Sequence, residues 1–306
     1  MRAGLDDLDP YFYSSLTYTR NVDVEADPIR VDPWGGFVLK RTTPSGGGVD
    51  CSAPYPMFCI ADPDAARAGL GDLRAAGMIS FVGVLDPLRS GAEARQAFPF
   101  RRPFKTHYLI NRPGIGYEPT PHHRAALRTA AKRCTTEAGP LGPWLSDWAG
   151  IYANTATNRG WSSAHRFGPA HWRDLADSGR VMAFRSVSEG EVAAMALFLQ
   201  DGGLVYYHLA ASTARGRTAS AGYAIVNAAV EHYGDVEAIY LGGAPGGSDD
   251  ASNGLAKFKA GFANGSGTAW LVGEVLDEAR YRELGPADAA GYFPAYRAPV
   301  QTAGAT

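Results

Sequence analysis

Between Phe100 and Arg133 the chain carries eight basic side chains: Arg101, Arg102, Lys105, Arg112, Arg124, Arg128, Lys132 and Arg133. One acid, Glu118, opposes them, so this segment has a local charge of +7 in a protein whose formal net charge is −2. A patch this dense is a candidate footprint for a polyanion; the alternative is a solvated basic face. Arg124, Arg128 and Lys132 recur every four residues, so on a helix they share one face. Tyr207 and His208 are adjacent on an expected strand, where side chains alternate, so only one can face a cleft; Tyr207 is the candidate. His122 and His123 point about 100° apart on a helix, so a shared metal is not expected. No His, Cys and carboxylate group has metal-ligand spacing, and no Gly-x-Ser-x-Gly elbow supports a serine hydrolase.

The elements that must position these residues follow from periodicity. In the first half, strands are expected at Trp34–Thr42, Met78–Asp86 and Thr106–Asn111, and helices at Asp64–Ala76 and Pro121–Glu137. The first forty residues otherwise read as irregular. In the second half, helices at Trp144–Asn158 and Ala170–Asp177 precede three strands, Val181–Val187, Val192–Gln200 and Leu204–Ala210. Short turns join these strands as a meander. A helix at Ala219–Tyr233, a strand at Glu237–Leu241, a helix at Ala251–Phe262 and a strand at Thr268–Leu276 complete the order. Helices, an antiparallel meander, then alternating helix and strand describe an α+β fold, a mixed sheet covered by helices.

The chain has 306 residues, 45% hydrophobic and 20% charged, and 11% aromatic content gives ample core material. At roughly 150 residues per domain this predicts two domains. Gly139–Pro143 is the best boundary, giving domains 1–141 and 142–285, with a tail, 286–306, expected to pack back on the first. The apolar run that includes Ala193–Leu199 is far short of the roughly 20 residues of a spanning helix. An N-terminus without an apolar h-region predicts no secretory signal, and three cysteines without paired spacing predict a reducing cytoplasm.

The order of elements in the second half resembles that of a GNAT acyltransferase domain. In that fold a Gly-containing loop opening a helix binds the pyrophosphate of coenzyme A through its N–H groups. The matching stretch is Arg217-Thr-Ala-Ser220-Ala-Gly222, where Ser220 stands in place of a glycine. The next segment, Ile239–Phe262, resembles the signature of the Fem-type aminoacyl transferases, which have two GNAT-like domains in one chain. It has a strand ending in Leu241-Gly242-Gly243, a loop, then Leu255-Ala-Lys-Phe258-Lys259-Ala-Gly-Phe262. Tyr206–Ser212, Arg124–Arg133, Ala53–Pro56 and Trp270–Leu284 agree with other parts of that family. The family's long helical arm has no counterpart.

The resemblance implies transfer of an amino acid from aminoacyl-tRNA to the amine of a peptide-bearing acceptor, without ATP or a cofactor. The acceptor would be a muropeptide or a small or carrier-linked antibiotic peptide, and no DNA is implied. The ester is already activated. An α-amino group with a pKa of about 7.7–8.0 is partly neutral near pH 7.5, so a dedicated base is optional. The demanding event is charge on the carbonyl oxygen, and the resemblance assigns Lys259 to it. It assigns Phe258 to stack on the terminal adenine of the tRNA. Lys257, Arg124, Arg128 and Lys132 would contact the tRNA, the last three as sequence-blind phosphate holders. Tyr55, Tyr207, Gly242 and Gly243 would line the acceptor site, expected in the groove between the domains. The alternative is a core Phe258 and a solvated Lys259, because Leu255, Phe258 and Phe262 are also a plain apolar stripe. Two other functions stay open: an acyl-coenzyme A N-acyltransferase, and a non-catalytic RNA-binding protein.

Overall fold

The computed structural model describes residues 11–160, 167–244, 250, 252–285 and 292–298. Most of the expected loop after Gly243, 245–249 with 251, lies outside the described residues, as do the first ten residues and most of the tail. In chain order the elements are α1 (Leu16–Val22), β1 (Asp27–Val31), β2 (Gly36–Thr42), β3 (Val49–Ser52), α2 (Pro63–Ala75), β4 (Ser80–Leu85), α3 (Ala92–Gln96) and β5 (Phe100–Asn111). They continue with α4 (Pro121–Arg133), β6 (Thr135–Pro140), α5 (Leu145–Asn158), α6 (Pro169–Asp177), β7 (Val181–Ser188), β8 (Glu191–Asp201) and β9 (Leu204–Ser212). The last are α7 (Ala214–Thr218), α8 (Ala221–His232), β10 (Ala238–Gly242), α9 (Gly254–Phe262), β11 (Gly265–Val275) and α10 (Glu278–Glu283).

The backbone divides into two compact units, 1–103 with 269–306, and 104–268. In the first, β1, β2 and β3 pair antiparallel, β3 pairs parallel with β4, and β4 pairs antiparallel with the 270–275 part of β11. Its core joins Val38, Phe58, Leu70, Leu73, Phe81, Phe98 and Val272. α2 starts where Asp62 caps the N–H groups of Asp64 and Ala65 and Pro63 takes the first turn; it presents Ala66, Leu70 and Leu73 to that core. From the tail, Arg297 forms a two-pronged ion pair with the buried Asp50, at 2.6 and 2.8 Å, and the Tyr296 hydroxyl donates to the same carboxylate.

In the second unit the strand order is β5-β10-β9-β8-β7-β6. β7, β8 and β9 form the expected meander; β9 pairs parallel with β10, and β10 pairs antiparallel with β5. Residues Ala193–Leu199 of β8 are all buried, which requires cover on both faces of the strand. α5 packs on β8 and β9, and α8 packs on β7 and β8.

Three expectations need correction. The helix from Pro121 ends at Arg133, not Glu137, because 135–140 is an edge strand: Glu137 pairs with Arg185 in the ladder, and the two side chains also form an ion pair at 2.7 Å. The backbone accordingly does not divide at Gly139–Pro143: β6 is laced to β7, and α4 packs on α8 and α9, so both belong with the later strands. The buried face of α4 is His123 and Ala130, flanked by half-buried Ala126, Leu127 and Cys134, whereas Ala131 is exposed. The first forty residues, read as irregular, contain α1, β1 and most of β2.

Candidate active site

The parallel ladder between β9 and β10 is short. It pairs Ala238 with Leu204, Ile239 with Val205 and Tyr240 with Tyr206, and stops there, while β9 runs on to Ser212. The first residue of β9 beyond the ladder is Tyr207. β10 meanwhile leaves its register with β5 between Tyr240 and Gly242, and Gly242 takes φ +71°. That left-handed backbone favours glycine. The following Gly243 is required for a second reason: a Cβ there would lie 2.7 Å from the His107 ring. The two glycines turn the chain over His107, and the Gly243 carbonyl oxygen accepts from a side chain of α9.

Helix α9 is opened by Asn253, whose side chain accepts from the Leu255 N–H. Its buried face carries Ala256, Lys259 and Phe262, while Leu255 is exposed. The simple apolar stripe is therefore displaced by one position, and Lys259 lies inside it. Lys259 is only 7% exposed. Its Nζ donates to the Gly243 carbonyl at 2.5 Å and stands 5.8 Å from the centre of the Tyr207 ring, within cation–π range. Burial, with the charge of Lys105 second, lowers its pKa from 10.5 to about 7. Among the described residues no carboxylate pairs with it. Burial pushes the Tyr207 phenol upward, so that hydroxyl stays protonated.

Beneath the turn, His107 of β5 shares a hydrogen bond between its Nδ1 and the Tyr240 hydroxyl, and the Tyr206 ring lies 5.3 Å from that of Tyr240. His208 faces the other way. Burial, with the charge of His171 second, lowers its pKa to about 3, so it stays neutral.

Phe258 is half-buried on the next face of α9, edge-on to Tyr223 at 4.9 Å and to Phe262 at 5.3 Å. Its carbonyl accepts from His123 Nε2 at 2.8 Å. A carbonyl cannot donate, so Nε2 carries the proton, and the Thr120 hydroxyl donates to Nδ1 at 3.0 Å. Burial holds His123 below its ordinary pKa, consistent with this neutral tautomer. A Cβ on Gly261 would fall 1.9 Å from the His123 ring, so glycine lets the two helices cross this closely.

The structure thus brings together Lys259, Tyr207, Gly242 and Gly243. Lys257, two positions along α9, points outward and is exposed. Arg128 and Lys132, with Arg133, line a depression of about 350 Å³ on α4. Arg124 lies apart, donating to the Pro119 carbonyl at 2.9 Å and pairing with Glu118 at 3.4 Å. Tyr55 belongs to the first unit and is 38% exposed. In the Arg217–Gly222 loop, Ser220 adopts the left-handed φ of +59° that glycine would hold at less cost, and it opens α8. Sequence reasoning missed Lys105, His107 and Tyr240. Lys105 and His107 alternate onto one face of β5, but only the fold brings that face to Gly243.

No protein-family model and no curated protein sequence matches this chain. Among solved structures it is similar to the C-terminal domain of a protein described as a lysylphosphatidylglycerol synthetase from Agrobacterium fabrum: 15% identity, 83% of this chain and 85% of that one, TM-score 0.58. It is similar to FemX, with 16% identity, coverage of 84% and 90%, and TM-score 0.56. L-PGS from Bacillus licheniformis matches at 12% identity, with coverage of 82% and 84% and TM-score 0.55. At these identities the likeness establishes the fold alone: two units, each a mixed sheet covered by helices. Among the described residues, no helix is long and apolar enough to cross a membrane.

Proposed function

We propose that this protein is an acyltransferase of the Fem type, moving an amino acid from aminoacyl-tRNA to the amine of a peptide-bearing acceptor. The observation that carries the reading is the buried ammonium of Lys259 on the Gly243 carbonyl, at the point where β9 and β10 part. A FemX-like fold supports it, as does the Leu-Gly-Gly and Phe-Lys pattern of the sequence. In the reaction the amine nitrogen attacks the ester carbonyl, and the tetrahedral oxygen gains negative charge. Lys259 as a cation meets that charge in a site already removed from water. The carbon–oxygen bond to the ribose then breaks, the ribose oxygen takes the proton released by the nitrogen, and a peptide bond remains. Arg128 and Lys132 hold acceptor-stem phosphates, and Phe258 offers its exposed edge to the terminal base. Gly242 and Gly243 contact the acceptor.

One observation favours a second reading. The Ser220 backbone takes the turn that a pyrophosphate-binding loop needs, which suits an acyl-coenzyme A donor. The deciding experiment incubates the protein with a peptide amine and either charged tRNA or acetyl-coenzyme A. Consumption of charged tRNA, abolished by RNase, is expected; consumption of acetyl-coenzyme A alone selects the second reading. Muropeptide and carrier-linked peptide acceptors, supplied separately, identify the amine.

A further inference from the structure

The basic side chains of the second unit differ in what holds them. Arg124, Arg180, Arg185 and Arg215 pair with carboxylates. Arg128, Lys132 and Arg133 of α4 are exposed, and among the described residues none of the three has a carboxylate partner. Arg133 differs from the other two in being tied down. Its Nη1 donates to the Thr218 carbonyl at 3.2 Å, where α7 ends, and beside it the Cys134 thiol donates to the Ala219 carbonyl at 3.7 Å. The chain then turns at Ser220 into α8, and a Cβ on Gly222 would lie 3.9 Å from Cζ of Phe258. Arg133 and the Phe258 ring therefore stand at the two ends of one turn, 218–222. That turn is folded: the Ser220 N–H donates to the Arg217 carbonyl at 3.2 Å and the Tyr223 N–H to the Ser220 carbonyl at 3.0 Å. At the rise of helical or turn backbone it spans on the order of 10 Å.

We infer that Arg133 is a phosphate-binding residue for the unpaired 3′ end of the tRNA, gripping a backbone phosphate of the nucleotides that lead to the terminal base at Phe258. This rests on the proposed aminoacyl transfer. With the terminal base on Phe258 and the stem on Arg128 and Lys132, the strand between them passes the 218–222 turn. A guanidinium carries five N–H donors in a planar fork. One of them is spent on Thr218, and among the described residues nothing else engages the rest. That fork matches a phosphodiester, whose two unesterified oxygens accept parallel N–H bonds. The tie to Thr218 also lowers the side-chain freedom lost on binding. Arg128 and Lys132 have no such tie among the described residues, so they meet phosphate as mobile charges that tolerate a range of positions. Arg133 instead sets a register, because one short stretch of backbone fixes its place relative to Phe258. The contact reads no base. It measures a length from the terminal base to the gripped phosphate, and so brings the ester on the terminal ribose to Lys259, the next residue of α9.

The test measures equilibrium binding of two probes: uncharged tRNA with its 3′ end intact, and the same tRNA trimmed back to the stem. The proteins are wild type, Arg133→Ala, Arg133→Lys and Arg128→Ala, each also followed by thermal unfolding. Wild type prefers the intact probe. Arg133→Ala binds that probe about tenfold more weakly than wild type does, and its salt slope falls in magnitude by about 0.7, as for one single-strand phosphate. It binds the trimmed probe as wild type does and unfolds at the same temperature. Arg133→Lys keeps the charge without the fork and recovers part of the affinity. Arg128→Ala loses equally on both probes. Equal losses for Arg133→Ala on the two probes overturn the inference, because the residue then serves the stem or the packing of α4. Undiminished binding of the intact probe by Arg133→Ala, beside a wild type that prefers it, overturns it as well. A wild type that binds neither probe, or that consumes only acetyl-coenzyme A, defeats the aminoacyl-tRNA reading itself and the role of Arg133 with it.

Discussion

His123 Nε2 donates to the carbonyl of Phe258 at 2.8 Å, and this bond fastens the basic helix α4 to the helix that carries Lys259. The proposed tRNA grip and the proposed reacting centre are therefore parts of one packed body, in contact through His123, Gly261 and the ring of Phe262, 4.6 Å from that of His123.

Gly261→Ala tests that fastening. The added methyl falls on the His123 ring, and the helices must part. A loss of roughly 1–3 kcal/mol in stability is expected, measured by denaturant unfolding. Transfer activity should fall with it; a variant of wild-type stability would show that the crossing tolerates bulk.

Lys259→Ala should lower turnover by about 10²–10³ while leaving tRNA affinity nearly unchanged, as for loss of an oxyanion donor. Single-turnover kinetics with charged tRNA measure this, and wild-type turnover would remove Lys259 from the mechanism.

Lys259→Met should change how stability depends on pH. In the folded protein Lys259 releases its proton near pH 7; unfolded, it keeps it to about 10.5. Between those values the unfolded chain binds more protons, so the wild type gains stability as pH rises. Below pH 7 it must carry a buried cation and the gain is absent. The variant should lack this slope and be more stable near pH 6, by on the order of a few kcal/mol. Urea unfolding near pH 6 and near pH 9, compared between the two proteins, reads the effect.

Phe258→Ala and Arg128→Ala should fail differently. Phe258 supports Tyr223, His123 and Phe262, so its truncation should cost roughly 2–4 kcal/mol of stability. A base-stacking role would add a loss of about 1–3 kcal/mol in tRNA binding without altering its salt dependence. Arg128→Ala should leave folding intact and reduce the magnitude of the salt slope of tRNA binding by about one. Thermal unfolding and filter binding at several salt concentrations separate the two.

Much of the second unit was legible because its signals are long and periodic. The β7–β9 meander, α5 and α8 have apolar runs set off by hairpin turns or a glycine. β6 was not legible: Thr135–Pro140 is short, polar and mostly exposed, and only its ladder to β7 makes it a strand. β1 and β3 are likewise too short to show alternation. At the site, the motif indicated Lys259, but a lysine in an amphipathic helix ordinarily points to water. Its burial depends on where β10 turns at Gly242. Lys105 was visible only as one charge among eight, since the carbonyl it binds is 139 positions away.

The interrupted course of the first unit has a consequence for synthesis. Strand β4 is made early, yet its partner segment, Trp270–Val275, is nearly two hundred positions later, and Arg297 later still. On the ribosome, residues 11–103 must wait with one side of β4 unpaired and the Asp50 carboxylate without its guanidinium while the whole of 104–268 emerges. The second unit, made without interruption, is free to fold first. The nascent first unit is then the vulnerable party, with an open strand edge exposed to chaperones or to neighbouring chains until the final residues arrive.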